Sequence, residues 1–164
     1  DASHFWTSQV AHYLKTDLRN LGMAGSCLME PEFVEYIAKE GEEGRWDIAT
    51  LELGINALGW DVAKIRERVE NTLDTIAGRN LDKPIFVISP FYNMDDYEET
   101  GDSVKWRNEI EKIVKEKNYP NITYIDGLDA LGDMSLISAD YVHPNIYGVA
   151  TIAENVLKVM KDTL

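Results

Sequence analysis

The sequence is poor in cysteine and histidine and has no long hydrophobic run. Its single cysteine, Cys27, cannot form a disulfide within the chain, and no cysteine or histidine lies near it at the spacing of zinc ligands. No apolar stretch approaches the roughly 18 residues that a membrane-spanning helix needs. Residues 1–4 lack the basic and apolar regions of a signal peptide, but a processed or truncated secreted chain would look the same, so cytoplasmic and secreted locations both stay open.

Basic residues are also scarce. The chain has 16 lysines and arginines against 29 aspartates and glutamates, which gives a net charge of −13. A surface of that charge repels phosphate backbones and anionic lipid headgroups, so we expect neither a nucleic-acid partner nor a membrane-surface partner. Hydrophobic residues make up 45% of the 164 residues, enough for a core, and the length predicts one domain over residues 1–164.

Helical and strand patterns alternate along the chain. Apolar residues at three- and four-residue steps predict five helices, near residues 5–14, 29–37, 62–76, 106–114 and 149–160. Short apolar or β-branched runs predict four strands, at residues 17–21, 48–53, 85–88 and 122–125. Because strands and helices follow one another in turn, the pattern predicts an α/β sandwich around a parallel sheet.

Among the three histidines, His143 has a carboxylate at a useful spacing. Asp140 precedes it by three residues, shortly before the last predicted helix. A loop there can fold the carboxylate onto one ring nitrogen and leave the other nitrogen as a general base. An Asp-x-x-His pair alone is a weak signal, because an aspartate before a helix is more often a helix cap than a catalytic group.

Two further polar positions follow predicted strands. Gly22 comes after the strand at residues 17–21, with Asn20 before it and Gly25 after it, and Asn56 comes after the strand that ends at Leu53. Open α/β sheets bind their ligands at the carboxyl ends of parallel strands, which favours a functional role for both positions. Taken singly, the glycines could equally form a tight turn and the asparagine could cap a loop.

Together these segments resemble the GDSL/SGNH family of serine ester hydrolases. Residues 20–25 are similar to the family's glycine block, residues 53–56 to its asparagine block and residues 140–145 to its histidine block, in the family's order. The resemblance implies a three-layer α/β/α sandwich with a flavodoxin-like parallel sheet, and catalysis through an acyl-serine intermediate without metal or cofactor. It also implies that the Gly22 amide and the Asn56 side chain stabilise an oxyanion, that His143 is the general base and that Asp140 orients it.

The family's nucleophile is the feature that this sequence does not match. The family carries it in a Gly-Asp-Ser block that follows the first strand, yet here the first predicted helix begins within a few residues of Asp1. The sequence does contain the triplet Gly101-Asp102-Ser103, but it follows an acidic loop and opens a helix, which predicts an N-cap. Neither Ser3 nor Ser26 has the family's local pattern. We therefore expect the first strand to be absent, the sheet to be open between the strands near Leu18 and Leu51, and the chain to be a fragment.

Three functions remain open at this stage. The first is hydrolysis of a small-molecule or carbohydrate ester. The second is a catalytically silent binding or scaffold domain, and the third is a metal-dependent hydrolase that uses the acidic residues at 95–99. Trp60, Phe91, Tyr92 and Tyr97 fall in loops after predicted strands and could either line the acyl site or simply pack those loops.

Overall fold

The computed structural model describes residues 5–97 and 101–164, which form a parallel sheet with helices on both faces. Three strands pair in the order β1-β2-β3: β1 Ala49–Glu52, β2 Ile85–Ile88 and β3 Ile122–Ile125. The helices are α1 Trp6–Leu14, α2 Pro31–Glu42, α3 Val62–Arg79, α4 Asp102–Lys117, α5 Gly127–Ala130 and α6 Ile146–Thr163. Single 3-10 turns lie at Ile55–Ala57, Met94–Tyr97 and Met134–Leu136. The predicted α/β/α sandwich is confirmed.

Strand β2 is the centre of the described sheet. All four of its residues are buried, and it pairs in parallel with β1 on one side and β3 on the other, with Ile85 opposite both Ala49 and Ile122. Because side chains alternate between the faces of a sheet, Ile85 and Val87 face one layer while Phe86 and Ile88 face the other. A short apolar run between two prolines is typical of such a strand, and this prediction is confirmed.

Two helical layers cover the two faces. The helical stripe predicted near residues 62–76 supplies buried residues of α3, and together with α2 and α4 it packs on one face of the sheet. Helices α1 and α6 pack on the other face. Within the described ranges, no helix combines the length and the apolar composition needed to cross a membrane.

The predicted strand at residues 17–21 is wrong. Residues 16–30 have no regular secondary structure apart from a turn at Ala24 and Gly25, and residues 17–20 are exposed. A strand forms only where a neighbour accepts and donates its backbone hydrogen bonds. Strand β1 is an edge of the described sheet, and it pairs with β2 alone, so this segment has no strand beside it.

Gly54 shapes the chain as it leaves β1. Its φ of +107° lies in a region that side chains disfavour, and a Cβ on it would lie 2.9 Å from Cγ of Pro90, which follows β2. The chain can therefore turn at once into the 3-10 helix Ile55–Ala57, which carries Asn56. A side chain at this position would be both conformationally strained and crowded.

We predict that Gly54→Ala lowers the free energy of unfolding by about 2–4 kcal/mol, since strain and overpacking each cost about 1–3 kcal/mol. The matched control is Gly59→Ala. Gly59 also has a positive φ, +85°, but a Cβ there meets no atom within 4 Å. We expect the control to show the conformational cost alone, about 1–2 kcal/mol. Urea unfolding of both variants measures the difference, and equal losses would show that contact with Pro90 is unimportant.

Candidate active site

A tight turn before α6 joins Asp140 and His143. Oδ2 of Asp140 lies 2.7 Å from Nδ1 of His143. Oδ1 of the same carboxylate accepts the backbone N–H groups of Val142 and His143, each at 2.9 Å, and the hydroxyl of Ser138 at 2.8 Å. These donors favour the ionised carboxylate, and they hold the pKa of Asp140 well below its usual range, with the amide of His143 contributing most.

The turn presents the other side of the imidazole to solvent. Since the carboxylate accepts a hydrogen from Nδ1, the neutral ring carries its lone pair on Nε2. The side chain of His143 is 76% exposed. Within the described part of the chain, no hydroxyl or other polar group is hydrogen-bonded to Nε2. The sequence prediction that Asp140 folds onto one ring nitrogen matches this geometry, and the arrangement can accept a proton from an incoming group.

Asp140 is not the cap of α6. That role belongs to Asn145, whose Oδ1 accepts the amides of Tyr147 and Gly148, both at 3.0 Å. The side-chain amide of Asn145 in turn donates to the carbonyl of Ser135 at 2.9 Å. The alternative explanation of Asp140 as a helix-start residue is therefore excluded, because another residue satisfies the helix terminus.

Asn56 is held at the end of β1 by the preceding loop. Its Oδ1 accepts the backbone N–H of Cys27 at 3.2 Å, which fixes the orientation of the amide group. Its Nδ2 has no hydrogen-bond partner within residues 5–97 and 101–164. The side chain is thus oriented by its oxygen and has a free donor, which is the geometry that an oxyanion donor needs.

The thiol of Cys27 is not a nucleophile candidate. It is partly buried, and Sγ lies 3.5 Å from the carbonyl oxygen of Glu52. Burial, with a smaller contribution from Glu52, raises the pKa of Cys27 to about 11. The sulfur therefore stays protonated near neutral pH, and the thiolate is the nucleophilic form.

The backbone amide of Gly22 is engaged within its own loop. It donates to Oδ1 of Asn20 at 2.9 Å. A turn follows directly, in which Ser26 N–H donates to the carbonyl of Met23 at 3.1 Å and Gly25 has a φ of +68°. The geometry thus shows the turn that the glycines allow, and an oxyanion role for Gly22 would require the Asn20 side chain to rotate away.

Ser103 lies in the first turn of α4 and is buried. Its hydroxyl is hydrogen-bonded to the side-chain amide of Asn93 at 2.9 Å, and its backbone N–H donates to Oδ2 of Asp95 at 2.6 Å. The triplet begins the helix, as predicted, but the side chain of its serine does not cap it. Gly101 is the N-cap residue and has no side chain that could accept a hydrogen bond. Asp95, in the preceding 3-10 turn, accepts the amide of Ser103 instead. Ser103 stays a poor nucleophile candidate because its hydroxyl is enclosed.

The acidic loop and most of the loop aromatics are used for packing. Asp96 forms an ion pair with Arg107, while Glu98 and Glu99 lie outside the described residues. No group of three or more metal-ligating side chains occurs in the two described segments.

Lys64 Nζ lies 3.8 Å from the centre of the Trp60 ring and covers one of its faces. This contact favours the packing explanation for Trp60. Phe91 and Tyr92 are also partly buried, whereas Tyr97 is largely exposed.

Sequence reasoning missed Glu52, at the end of β1. Its Oε1 is buried and has no hydrogen-bond partner among the described residues. Burial raises the pKa of Glu52 to about 7. The sequence could have indicated this buried acid, because Glu52 is the only charged residue in the apolar run 48–53. It lies four residues before Asn56, so a titratable group is buried near the same end of the strand.

At the carboxyl edge of the sheet, contacts join successive loops. Asn56 is bonded to the loop that contains Gly22, Gly54 lies against Pro90 after β2, and Met94 is bonded to Tyr141 within the turn of the histidine.

Comparison with family models identifies the family of this chain: the model of the GDSL-like lipase/acylhydrolase family matches residues 2–161. The chain belongs to this family. The predicted family resemblance is thereby confirmed.

Solved structures show the same fold at low sequence identity. The salicylyl-acyltransferase SsfX3 from a tetracycline biosynthetic pathway is 22% identical, with a TM-score of 0.81, over 98% of this chain and 49% of the other. A GDSL-like lipase from Bacteroides ovatus is 20% identical, with a TM-score of 0.80, over 98% and 47%. TesA is 16% identical, with a TM-score of 0.78, over 100% and 91%. The chain spans about half the length of the first two. No protein with a curated description matches it.

We predict that the turn of Asp140 makes the protein sensitive to acid. A carboxyl group whose pKa is lowered by folding stabilises the protein above its unfolded pKa, near 3.8, and this contribution is lost as pH falls below that value. Asp140→Asn removes the ionisable group and retains an oxygen that can accept the amides. Thermal unfolding between about pH 6 and about pH 2 should show a stability gap between wild type and variant that narrows in acid. A gap independent of pH would contradict the assignment.

Proposed function

We propose that this chain supplies the general base and an oxyanion donor of a serine ester hydrolase. The observation that carries the proposal is the 2.7 Å contact between Asp140 Oδ2 and His143 Nδ1, which leaves Nε2 exposed. Membership of the GDSL-like lipase/acylhydrolase family supports an acyl-transfer reaction at this site. The oriented amide of Asn56 supports it as well.

In the proposed reaction, Nε2 of His143 removes a proton from a serine hydroxyl as its oxygen attacks the ester carbonyl. Asp140 stabilises the imidazolium, which then protonates the departing alkoxide and leaves an acyl-serine. Water attacks this second ester in the same way, and His143 again takes and returns the proton. In each tetrahedral intermediate the oxyanion accepts a hydrogen bond from Nδ2 of Asn56, and from Gly22 once Asn20 has turned away.

The nucleophile of this reaction lies outside residues 5–97 and 101–164 in our proposal. No serine hydroxyl in those ranges is hydrogen-bonded to His143. Strand β1 offers a place for the segment that carries it, because alternate backbone groups of an edge strand point away from its single partner. A strand paired there in parallel with β1 would end beside Gly54 and Asn56, at the carboxyl edge of the sheet.

The substrate in this proposal is a small-molecule or carbohydrate ester. A net charge of −13 favours neutral esters over anionic ones, because the surface repels negative groups. Similar structures include an acyltransferase and a carbohydrate esterase of family 3, so the fold alone does not select the acyl group or the alcohol. The second candidate is a silent binding domain, which the lack of a described serine at His143 favours.

We predict that His143→Ala lowers kcat for a neutral p-nitrophenyl ester by about 10²–10⁴-fold, because proton transfer by the base is lost. The assay uses the full-length protein. The matched control is His12→Ala, on the exposed side of α1, which should keep wild-type turnover. Labelling by a serine-directed phosphonate should likewise require His143. Turnover that survives in His143→Ala contradicts the mechanism, and absence of both turnover and labelling in wild type favours the binding domain.

A second prediction concerns the oxyanion donor. Asn56→Asp retains an oxygen that can accept the Cys27 amide but replaces the Nδ2 donor by an acceptor, so kcat should fall by about 10²–10³-fold. The value of KM should change much less, because the ground-state carbonyl needs the donor less than the oxyanion does. Steady-state kinetics separate the two parameters. If only KM rises, Asn56 binds substrate and does not stabilise the intermediate.

A further inference from the structure

A buried polar cluster joins the loop after β2 to the first turns of α4. We call it the polar anchor and define it as Asn93, Asp96, Ser103 and Arg107. The guanidinium of Arg107 pairs with Asp96 and also donates to the carbonyl of Pro90 at 2.9 Å. The two side chains of this ion pair are only 5% and 6% exposed. The anchor therefore holds the loop after β2 against α4 by charge and hydrogen bonds.

Asn93 links the ion pair to the rest of the loop. Its backbone N–H donates to Oδ2 of Asp96 at 2.9 Å, and its side-chain amide donates to the hydroxyl of Ser103 at 2.9 Å. Its Oδ1 accepts the amide of Asp95 at 3.0 Å, so Asn93 caps the 3-10 turn that begins at Met94. The position of the Met94 backbone is consequently fixed by the anchor.

One backbone hydrogen bond connects this loop to the turn of the histidine. The N–H of Met94 donates to the carbonyl of Tyr141 at 2.7 Å. Tyr141 lies between Asp140 and His143 in the chain and has a φ of +60°, a conformation that a residue with a Cβ adopts only when its surroundings hold it. Contact with the Met94 amide is one such restraint from outside the turn.

We propose that the polar anchor positions the Asp140–His143 pair through the bond from Met94 to Tyr141. The effect that we expect on kcat rests on the proposed function, whereas the effect on the position of His143 does not. Replacing a buried ion pair by apolar residues often leaves stability unchanged or improves it, so stability alone does not account for the pair between Asp96 and Arg107. What the pair does supply here is a fixed position for the donor at Met94.

The test removes the hydrogen bond from the Met94 amide to the Tyr141 carbonyl. Met94→Pro removes the backbone donor, and proline is well tolerated at the first position of a helical turn. The matched control is Met94→Ala, which loses the same exposed side chain but retains the N–H. Both variants are made in the full-length protein, and circular dichroism confirms that each is folded.

Two readouts follow. The first is the tautomer of His143, from imidazole ¹⁵N shifts with the ring neutral. Wild type and Met94→Ala should show the Nδ1–H form, and Met94→Pro a mixture of both forms. The second is ester hydrolysis, where Met94→Pro should lower kcat by about 10–100-fold with KM nearly constant, because small displacements of a catalytic group cost up to about 10²-fold. We expect Met94→Ala to stay within about threefold of wild type in kcat.

The two readouts separate failure of this inference from failure of the proposed function. A wild-type tautomer and kcat in Met94→Pro would overturn the positioning role. If wild type hydrolyses no ester, the proposed function fails, while the tautomer still decides the positioning role. If Met94→Pro does not fold, Ser103→Ala replaces it, because this variant removes the hydroxyl that is hydrogen-bonded to the side chain of Asn93 in the anchor. The variant should still fold, since Asn93 keeps its bond to the carbonyl of Phe91 at 2.9 Å. That variant should show the mixed tautomer, and an unchanged Nδ1–H form would overturn the proposal.

Discussion

The rest of the structure depends on the parallel pairing of β2 with β1 and β3. Residues Ile85–Ile88 are buried on both faces, and the two helical layers pack against alternate side chains of this strand. Parallel pairing also brings the carboxyl ends of all three strands to one edge of the sheet. Loops that are distant in sequence therefore meet there, which is the usual position of a ligand site in an open α/β sheet.

The groups at this edge are held in different ways. In the turn of Asp140 and His143, the two amides and the hydroxyl that donate to the carboxylate all lie within three residues of Asp140. Asn56 depends on a tertiary contact with the amide of Cys27. Gly22 is bound within its own loop. The turn of the proposed base is thus held mostly by its own hydrogen bonds, with one added from Met94 outside it, whereas the proposed oxyanion donor Asn56 depends on a neighbouring loop.

Two buried acidic side chains, Asp96 and Glu52, differ in whether a partner neutralises them. Buried charges are costly unless they are paired, and Arg107 meets this condition through Asp96 and the carbonyl of Pro90. Glu52 does not meet it, since one carboxylate oxygen is buried without a donor among the described residues, and its pKa rises to about 7. Asp96 is therefore fixed in an ion pair, while Glu52, four residues before Asn56 in the chain, remains titratable.

The sequence by itself determined the local features of this protein. The helical stripes, the buried strand at residues 85–88 and the contact between Asp140 and His143 all depend on short-range periodicity or on a spacing of three residues. It also carried the family's three blocks. Tertiary structure alone decided that residues 17–21 are not a strand, that Asp95 accepts the amide of Ser103 at the start of α4, and that Met94 is bonded to Tyr141. Each of these depends on which distant backbone or carboxylate group lies within hydrogen-bonding distance, and local pattern contains no such information.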